Sequence, residues 1–142
     1  MTEKEFYKLL VSNGSVLIGS RRLKVENKDS DVDIAISQEN FQKIKKENLI
    51  SLEKYDIINY FNYLPLGNNT LLRTNNPIEK QKFDILIFEN QEEVDFLEEV
   101  MKAMSKIPKI ILEKKFLRIT MTEILLSQSS VFEIEFKKNK KP

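Results

Sequence analysis

Two aspartates one residue apart open an apolar strand of the sequence, and their spacing suggests chemistry. Asp31 and Asp33 flank Val32 in the stretch SDVDIAI. Alternate residues of a β-strand point to the same face, so both carboxylates project together, with their Cα atoms roughly 7 Å apart. Carboxylates this close repel each other unless a cation shares the site. The spacing therefore predicts a divalent metal site at Asp31 and Asp33.

A third aspartate stands inside a later apolar strand. Asp84 is the only acid of the stretch KFDILIF, and an acid in such surroundings needs a partner. If this strand lies beside the Asp31–Asp33 strand, the three aspartates form one set of catalytic residues and metal ligands. Three carboxylates can hold two ions, one on the nucleotide phosphates and one that activates an attacking hydroxyl.

The absence of two residue types narrows the chemistry further. The chain has no cysteine and no histidine, which excludes disulfides, thiolate nucleophiles, sulfur-bound zinc and the commonest general base. Carboxylates remain the natural carriers of catalysis. Their hard oxygen atoms favour Mg²⁺ or Mn²⁺ as the cofactor.

A glycine and a serine end the preceding apolar strand and are predicted to bind phosphate. Glycine lets the backbone approach a ligand closely, and a serine in the following turn offers its hydroxyl and backbone N–H groups. Cations in the connecting segment could neutralise a triphosphate. The predicted phosphate-binding residues are Gly19, Ser20, Arg21, Arg22 and Ser30, with Lys24 and Lys28 nearby.

The periodicities predict a mixed α/β (α+β) domain with a small mixed sheet flanked by helices. Thr2 is a candidate N-cap for the first helix, and Asn90 with Glu93 forms a capping pair for a later one. Pro108 suits the first turn of a longer helix. We expect helices over residues 3–11, 38–48, 91–105 and 108–126, and strands over 16–18, 32–36 and 82–88, with further strands between 55 and 76.

The length of the chain indicates the number of its domains, and its net charge indicates which partners are expected. Its 142 residues suit one domain, predicted over 1–136, followed by a basic tail over 137–142. The 23 basic and 22 acidic residues nearly cancel, so net charge alone indicates no nucleic-acid or membrane binding. No segment has the length and apolarity of a membrane span or signal peptide, and a cytoplasmic protein is expected.

These residues together resemble the nucleotidyltransferase superfamily related to DNA polymerase β. Gly19-Ser20, nine residues, then Ser30-Asp31-Val32-Asp33, with Asp84 on a later strand, looks like its signature. The spacing is most similar to that of the minimal nucleotidyltransferases of bacterial toxin–antitoxin pairs. The resemblance is specific over residues 16–36 and extends less specifically to 88. One departure is Arg22-Leu23-Lys24, where many minimal members carry a small residue and a glycine.

The resemblance implies transfer of a nucleoside monophosphate from a nucleoside triphosphate such as ATP to an acceptor hydroxyl. By this analogy Gly19 and Ser20 bind phosphate, Asp31 and Asp33 bind metal, and Asp84 helps to deprotonate the acceptor. The acceptor stays open between a protein hydroxyl, such as that of a partner toxin, an RNA 3′ end and a small molecule. Two alternatives remain: a non-catalytic module of the same fold that acts as antitoxin or inhibitor of a protein partner, and an RNA-binding domain that uses the lysine tail.

Overall fold

The computed structural model describes residues 2–54, 59–62, 69–73 and 81–128, with the backbone alone for 48–54, 59–62 and 73. In chain order the elements are α1 (Glu3–Ser12), β1 (Val16–Ile18), α2 (Gly19–Arg22), β2 (Val32–Ser37), α3 (Gln38–Lys54), β3 (Asn59–Asn62), β4 (Asn69–Arg73), β5 (Phe83–Phe88), α4 (Gln91–Met104), α5 (Lys109–Leu112) and α6 (Lys115–Leu126).

The described strands form one mixed sheet in the order β1-β2-β5-β4-β3. β2 and β5 run parallel at its centre, and the other neighbouring pairs are antiparallel. Parallel strands need a crossover connection, and α3 lies within the segment that makes it. The predicted fold class, a small mixed sheet with flanking helices, is confirmed.

Each face of the sheet packs against its own group of helices, because the side chains of each strand alternate between the faces. On one face Ala35 and Leu86 belong to a buried cluster with residues of α4 and α6. On the other, Ile34 and Ile85 pack with residues of α1 and α3. The sheet is therefore the middle layer of the described fold.

The second of these clusters anchors α1. The ring of Phe6 meets that of Phe83 edge-on, with centroids 4.8 Å apart and planes at 75°. Both side chains are almost fully buried, and each such burial contributes about 1.5–3 kcal/mol. This contact packs the first helix against the central strand β5. Phe83 directly precedes Asp84 on that strand.

Two predicted helix caps are confirmed. The Thr2 hydroxyl accepts a 3.1 Å hydrogen bond from the backbone N–H of Glu5. The Asn90 side chain accepts one of 3.0 Å from the backbone N–H of Glu93. Each cap satisfies an N–H group that has no partner within its helix.

The single helix predicted over 108–126 is wrong. Pro108 caps α5, which ends at Leu112, and α6 begins only at Lys115 after Lys114 takes an extended conformation (φ −84°, ψ 109°). The Arg118 guanidinium donates a 2.8 Å hydrogen bond to the Leu112 carbonyl. This bond satisfies a carbonyl at the end of α5 and stabilises the corner between the two helices.

The third helix is longer than predicted. α3 continues to Lys54, six residues beyond its predicted end. No helix in the described residues is long and apolar enough to cross a membrane. The predicted basic tail over 137–142 lies outside the described residues.

Candidate active site

The sheet brings two of the three predicted aspartates to adjacent positions. Asp33 on β2 is the register partner of Asp84 on the parallel strand β5, and neighbouring strands lie about 4.8 Å apart. Asp31 directly precedes β2. All three predicted aspartates line the same cavity.

The surroundings of Asp33 oppose its ionisation. Burial raises its pKa, and the negative charges of Asp84 and Asp31 raise it further, to about 7. The positive charges of Arg118 and Lys115 lower the pKa of Asp33. An aspartate that titrates near neutral pH is a candidate functional group because its shift has a specific charge partner inside a cavity.

Gly19 faces Asp33 and is required by the local geometry. Its φ is +73°, a conformation that side chains rarely adopt. A Cβ atom built there would collide with the Asp33 carboxylate. Glycine therefore allows β1 to lead directly into the site while the carboxylate occupies the space that a side chain would fill.

The predicted turn at Gly19 and Ser20 is instead a short helix. Residues Gly19–Arg22 form α2, in which the Gly19 and Arg21 carbonyls accept hydrogen bonds from the backbone N–H groups of Leu23 and Lys24. Ser20 is buried and lines the cavity with Gly19. Both predicted phosphate-binding residues thus lie at the site, on a helical turn.

The predicted phosphate-binding role of Arg22 is not supported by its position. Arg22 does not line the cavity; its guanidinium makes a bidentate ion pair with Glu98 on α4, at 2.6 and 2.7 Å. It also donates to the Leu17 carbonyl at 3.2 Å. This hydrogen-bonded pair raises the pKa of Arg22 and lowers that of Glu98. Arg22 thereby fixes α2 against α4.

Arg21 does not line the cavity either, and its guanidinium contacts other protein groups. Its guanidinium donates to the Ser30 carbonyl at 2.8 Å and to the Gln81 side-chain oxygen at 2.9 Å. The Gln81 amide donates to the same Ser30 carbonyl at 3.0 Å. Ser30 lines the cavity, as predicted, and these bonds hold the backbone that leads into Asp31. Lys24 and Lys28 are exposed and lie outside the cavity lining.

The cavity is also lined by two cations that the sequence analysis missed. Lys115 and Arg118 on α6 line the cavity of about 490 Å³ together with the aspartates, a volume within the range of small-molecule sites. They recur with Thr122 at helical spacing, as a polar stripe on a largely apolar helix. That stripe was the available signal, but only the tertiary fold places it in one cavity with Asp33.

The donor set suits a hard divalent cation. The three carboxylates supply oxygen ligands, and mutual repulsion between them is what a cation would relieve. Among the described residues no group of three acids, histidines or cysteines is already arranged to hold a metal ion. Mg²⁺ commonly binds one or two carboxylates and completes its shell with water and substrate phosphates. The Asp33–Asp84 pair fits that mode of binding.

Comparison with known protein families, with curated proteins and with solved structures gives no match.

Proposed function

We propose that this chain is a metal-dependent nucleotidyltransferase that moves a nucleoside monophosphate from a nucleoside triphosphate to an acceptor hydroxyl. The observation that supports this best is the placement of Asp33 beside Asp84 on parallel strands, against Gly19 and in one cavity with Lys115 and Arg118. The resemblance of residues 16–36 to the nucleotidyltransferase superfamily supports the same assignment.

The cavity offers complementary groups for a triphosphate and its metal. Lys115 and Arg118 provide positive charge for phosphate oxygens, and Gly19 and Ser20 line the same cavity. Asp31, Asp33 and Asp84 would hold Mg²⁺ or Mn²⁺, which when bound neutralises phosphate charge and lowers the pKa of an acceptor hydroxyl. A nucleoside triphosphate brings the phosphate oxygens that such an ion requires.

The proposed transfer forms one bond and breaks one. The acceptor oxygen bonds to the α-phosphorus, and the bond from that phosphorus to the oxygen bridging the β-phosphate breaks. Pyrophosphate leaves with the electron pair of the broken bond. Asp84 takes the acceptor proton as general base, and Lys115 and Arg118 stabilise the negative charge that grows on the leaving group.

Nucleotide binding by single-charge variants tests this proposal. We expect the wild-type protein to bind a nucleoside triphosphate only with Mg²⁺ or Mn²⁺, measured by isothermal titration calorimetry. Asp33→Asn should lose this metal-dependent binding. Asp29→Asn, at an exposed cavity-lining position, is the matched control and should bind as the wild type does.

The substitution Asp84→Asn separates an enzyme from a module that only binds. Loss of the general base should reduce the rate of transfer by about 10²–10⁴-fold. This reduction should exceed the fold-loss in affinity for the nucleotide. A binding module would keep its function after this substitution. Failure of the wild-type protein to bind any of the four nucleoside triphosphates with either metal would contradict the proposal.

A further inference from the structure

The three aspartates of the site are not held in the same way. Asp33 and Asp84 lie within β2 and β5, where strand pairing fixes them at adjacent register positions. Asp31 lies before β2, at the end of a segment, residues 23–31, that forms neither helix nor strand. Residues 26–29 of this segment are all exposed, so buried apolar contacts do not hold the chain that approaches Asp31. Its position therefore depends on hydrogen bonds.

The peptide group before Asp31 is held through the Ser30 carbonyl. This oxygen accepts a 2.8 Å hydrogen bond from the Arg21 guanidinium and a 3.0 Å hydrogen bond from the Gln81 amide. Arg21 also donates to the Gln81 side-chain oxygen at 2.9 Å, so the two side chains orient each other. The Ser30 carbonyl is therefore bound both from α2 and from the chain that leads into β5.

The peptide group after Asp31 is held by the same part of the chain. The Val32 N–H donates a 2.9 Å hydrogen bond to the Lys82 carbonyl. The Gln81 amide donates to that same carbonyl at 3.0 Å. Gln81 thus interacts with the hydrogen-bonding groups on both sides of Asp31, three residues before Asp84. This network connects the position of Asp31 to that of Asp84.

The hydrogen bonds of Arg21 are not those that stability alone would favour. They join its guanidinium to a carbonyl and an amide oxygen, whereas the neighbouring Arg22 pairs with the Glu98 carboxylate. The Arg21 Nε atom is buried and has no hydrogen-bond partner among the described residues. A buried donor without a partner lowers stability, so its presence in a native structure calls for another explanation. The location of Arg21 beside the approach to Asp31 supplies one.

We propose that Arg21 and Gln81 are positioning residues, which hold Asp31 in place relative to Asp33 and Asp84 and thereby determine how tightly the site binds its divalent cation. This inference rests on the proposed function and specifies what sets the metal affinity of its site. A cation binds most tightly to carboxylates that are already in place, because no free energy is lost in ordering them. Groups that orient metal ligands without touching the metal typically change metal affinity by about 10–100-fold.

Titration with Mn²⁺ alone measures this effect without nucleotide or transfer. The electron paramagnetic resonance signal of free Mn²⁺ falls as the ion binds, and the full wild-type chain is compared with Gln81→Met and Arg21→Met. Each substitution keeps a long side chain but removes a hydrogen bond to Ser30, so each should weaken Mn²⁺ binding by about 10–100-fold. Because both act on the same carbonyl, the double variant should lose less affinity than the product of the two single losses.

The sign of the Arg21→Met effect separates position from charge. Removing a positive charge near a cation site by itself favours the cation, so a purely electrostatic role for Arg21 would give tighter binding. Gln81→Met changes no charge. The matched control, Arg22→Met, removes the neighbouring cation of α2 but no bond to Ser30 or Gln81. It should bind Mn²⁺ at least as tightly as the wild type does.

Hydrogen exchange separates positioning from a general effect on the fold. A purely structural role would lower stability in urea without changing Mn²⁺ binding by the folded protein. Each variant is therefore titrated where urea denaturation shows it to be folded, and Gln81→Met alone decides the outcome if Arg21→Met does not fold. In EDTA, the backbone amides of residues 26–31 should exchange faster in both variants than in the wild type.

Several results would overturn the inference. Mn²⁺ binding that is unchanged or tighter in Gln81→Met would do so, as would an equal loss of affinity in Arg22→Met. Asp33→Asn should abolish Mn²⁺ binding, and binding that survives this substitution would lie elsewhere on the chain. Absence of Mn²⁺ binding by the wild-type protein would also overturn the inference, whereas the proposed function is decided separately by the calorimetric titration with nucleoside triphosphate.

Discussion

Replacing Asp33 with asparagine should stabilise the metal-free protein by an amount that grows as the pH rises from 3.8 to about 7. The pKa of Asp33 is raised from 3.8 to about 7, so the folded state holds this proton more tightly than the unfolded chain does. Stability therefore falls as pH rises between these two values. The difference between the two pKa values corresponds to about 4 kcal/mol of folding free energy lost above pH 7. Asparagine cannot ionise and avoids this loss.

The assay compares free energies of unfolding in EDTA. Urea denaturation followed by far-ultraviolet circular dichroism at pH 4.5, 6 and 8 should show the variant approaching the wild type at the lowest pH. At pH 8 it should be more stable by up to about 4 kcal/mol. Asp29→Asn controls for removing one negative charge at the cavity. If the stability difference between Asp33→Asn and the wild type does not grow with pH, the electrostatic description of this site is wrong.

Three further predictions follow from individual contacts. Gly19→Ala should destabilise the fold by about 1–3 kcal/mol in urea denaturation, because φ is +73° at Gly19 and the new Cβ would meet the Asp33 carboxylate. Unchanged stability would contradict the close contact between Gly19 and Asp33. Glu98→Gln should lower the free energy of unfolding by about 1 kcal/mol in the same assay, because it breaks the partly exposed bidentate ion pair with Arg22. A variant as stable as the wild type would show that this ion pair does not contribute to stability. Lys115→Gln should raise the Asp33 pKa, measured by carboxyl NMR, because the Lys115 charge lowers that pKa in the wild-type protein. An unchanged or lower pKa would show that the Lys115 ammonium does not lie close enough to Asp33 to stabilise its charge.

Local sequence patterns predicted the parts of the fold that neighbouring residues determine. The caps at Thr2 and Asn90 are satisfied by N–H groups three residues away, so a short window contains all the information. The strand at residues 16–18 was predicted from its apolar run, and alternation correctly placed Asp33 on the same face as Ala35. Such features depend on the chain over distances of a few residues.

The partners across the site could not be predicted in the same way. Asp84 lies 51 residues after Asp33, and only the parallel pairing of β2 with β5 brings them together. The sequence predicts that Arg22 binds phosphate because it is a cation of the segment after Ser20, yet its guanidinium pairs with Glu98 of α4. The polar stripe of α6 is visible in the sequence, but nothing near Lys115 indicates that this stripe lines a cavity with Asp33. Tertiary packing decided each of these cases.

Transfer of a labelled nucleotide tests the central claim most directly. The wild-type protein and Asp33→Asn are each incubated with one of the four α-³²P-labelled nucleoside triphosphates, Mg²⁺ or Mn²⁺, and acceptor fractions of RNA, protein and small molecules from a bacterial lysate. The account predicts that label moves to an acceptor with release of an equal amount of pyrophosphate, and only with the wild-type protein. Label that remains in free nucleotide with both proteins, for all four bases and every fraction, would contradict the assignment of this site as a nucleotidyltransferase.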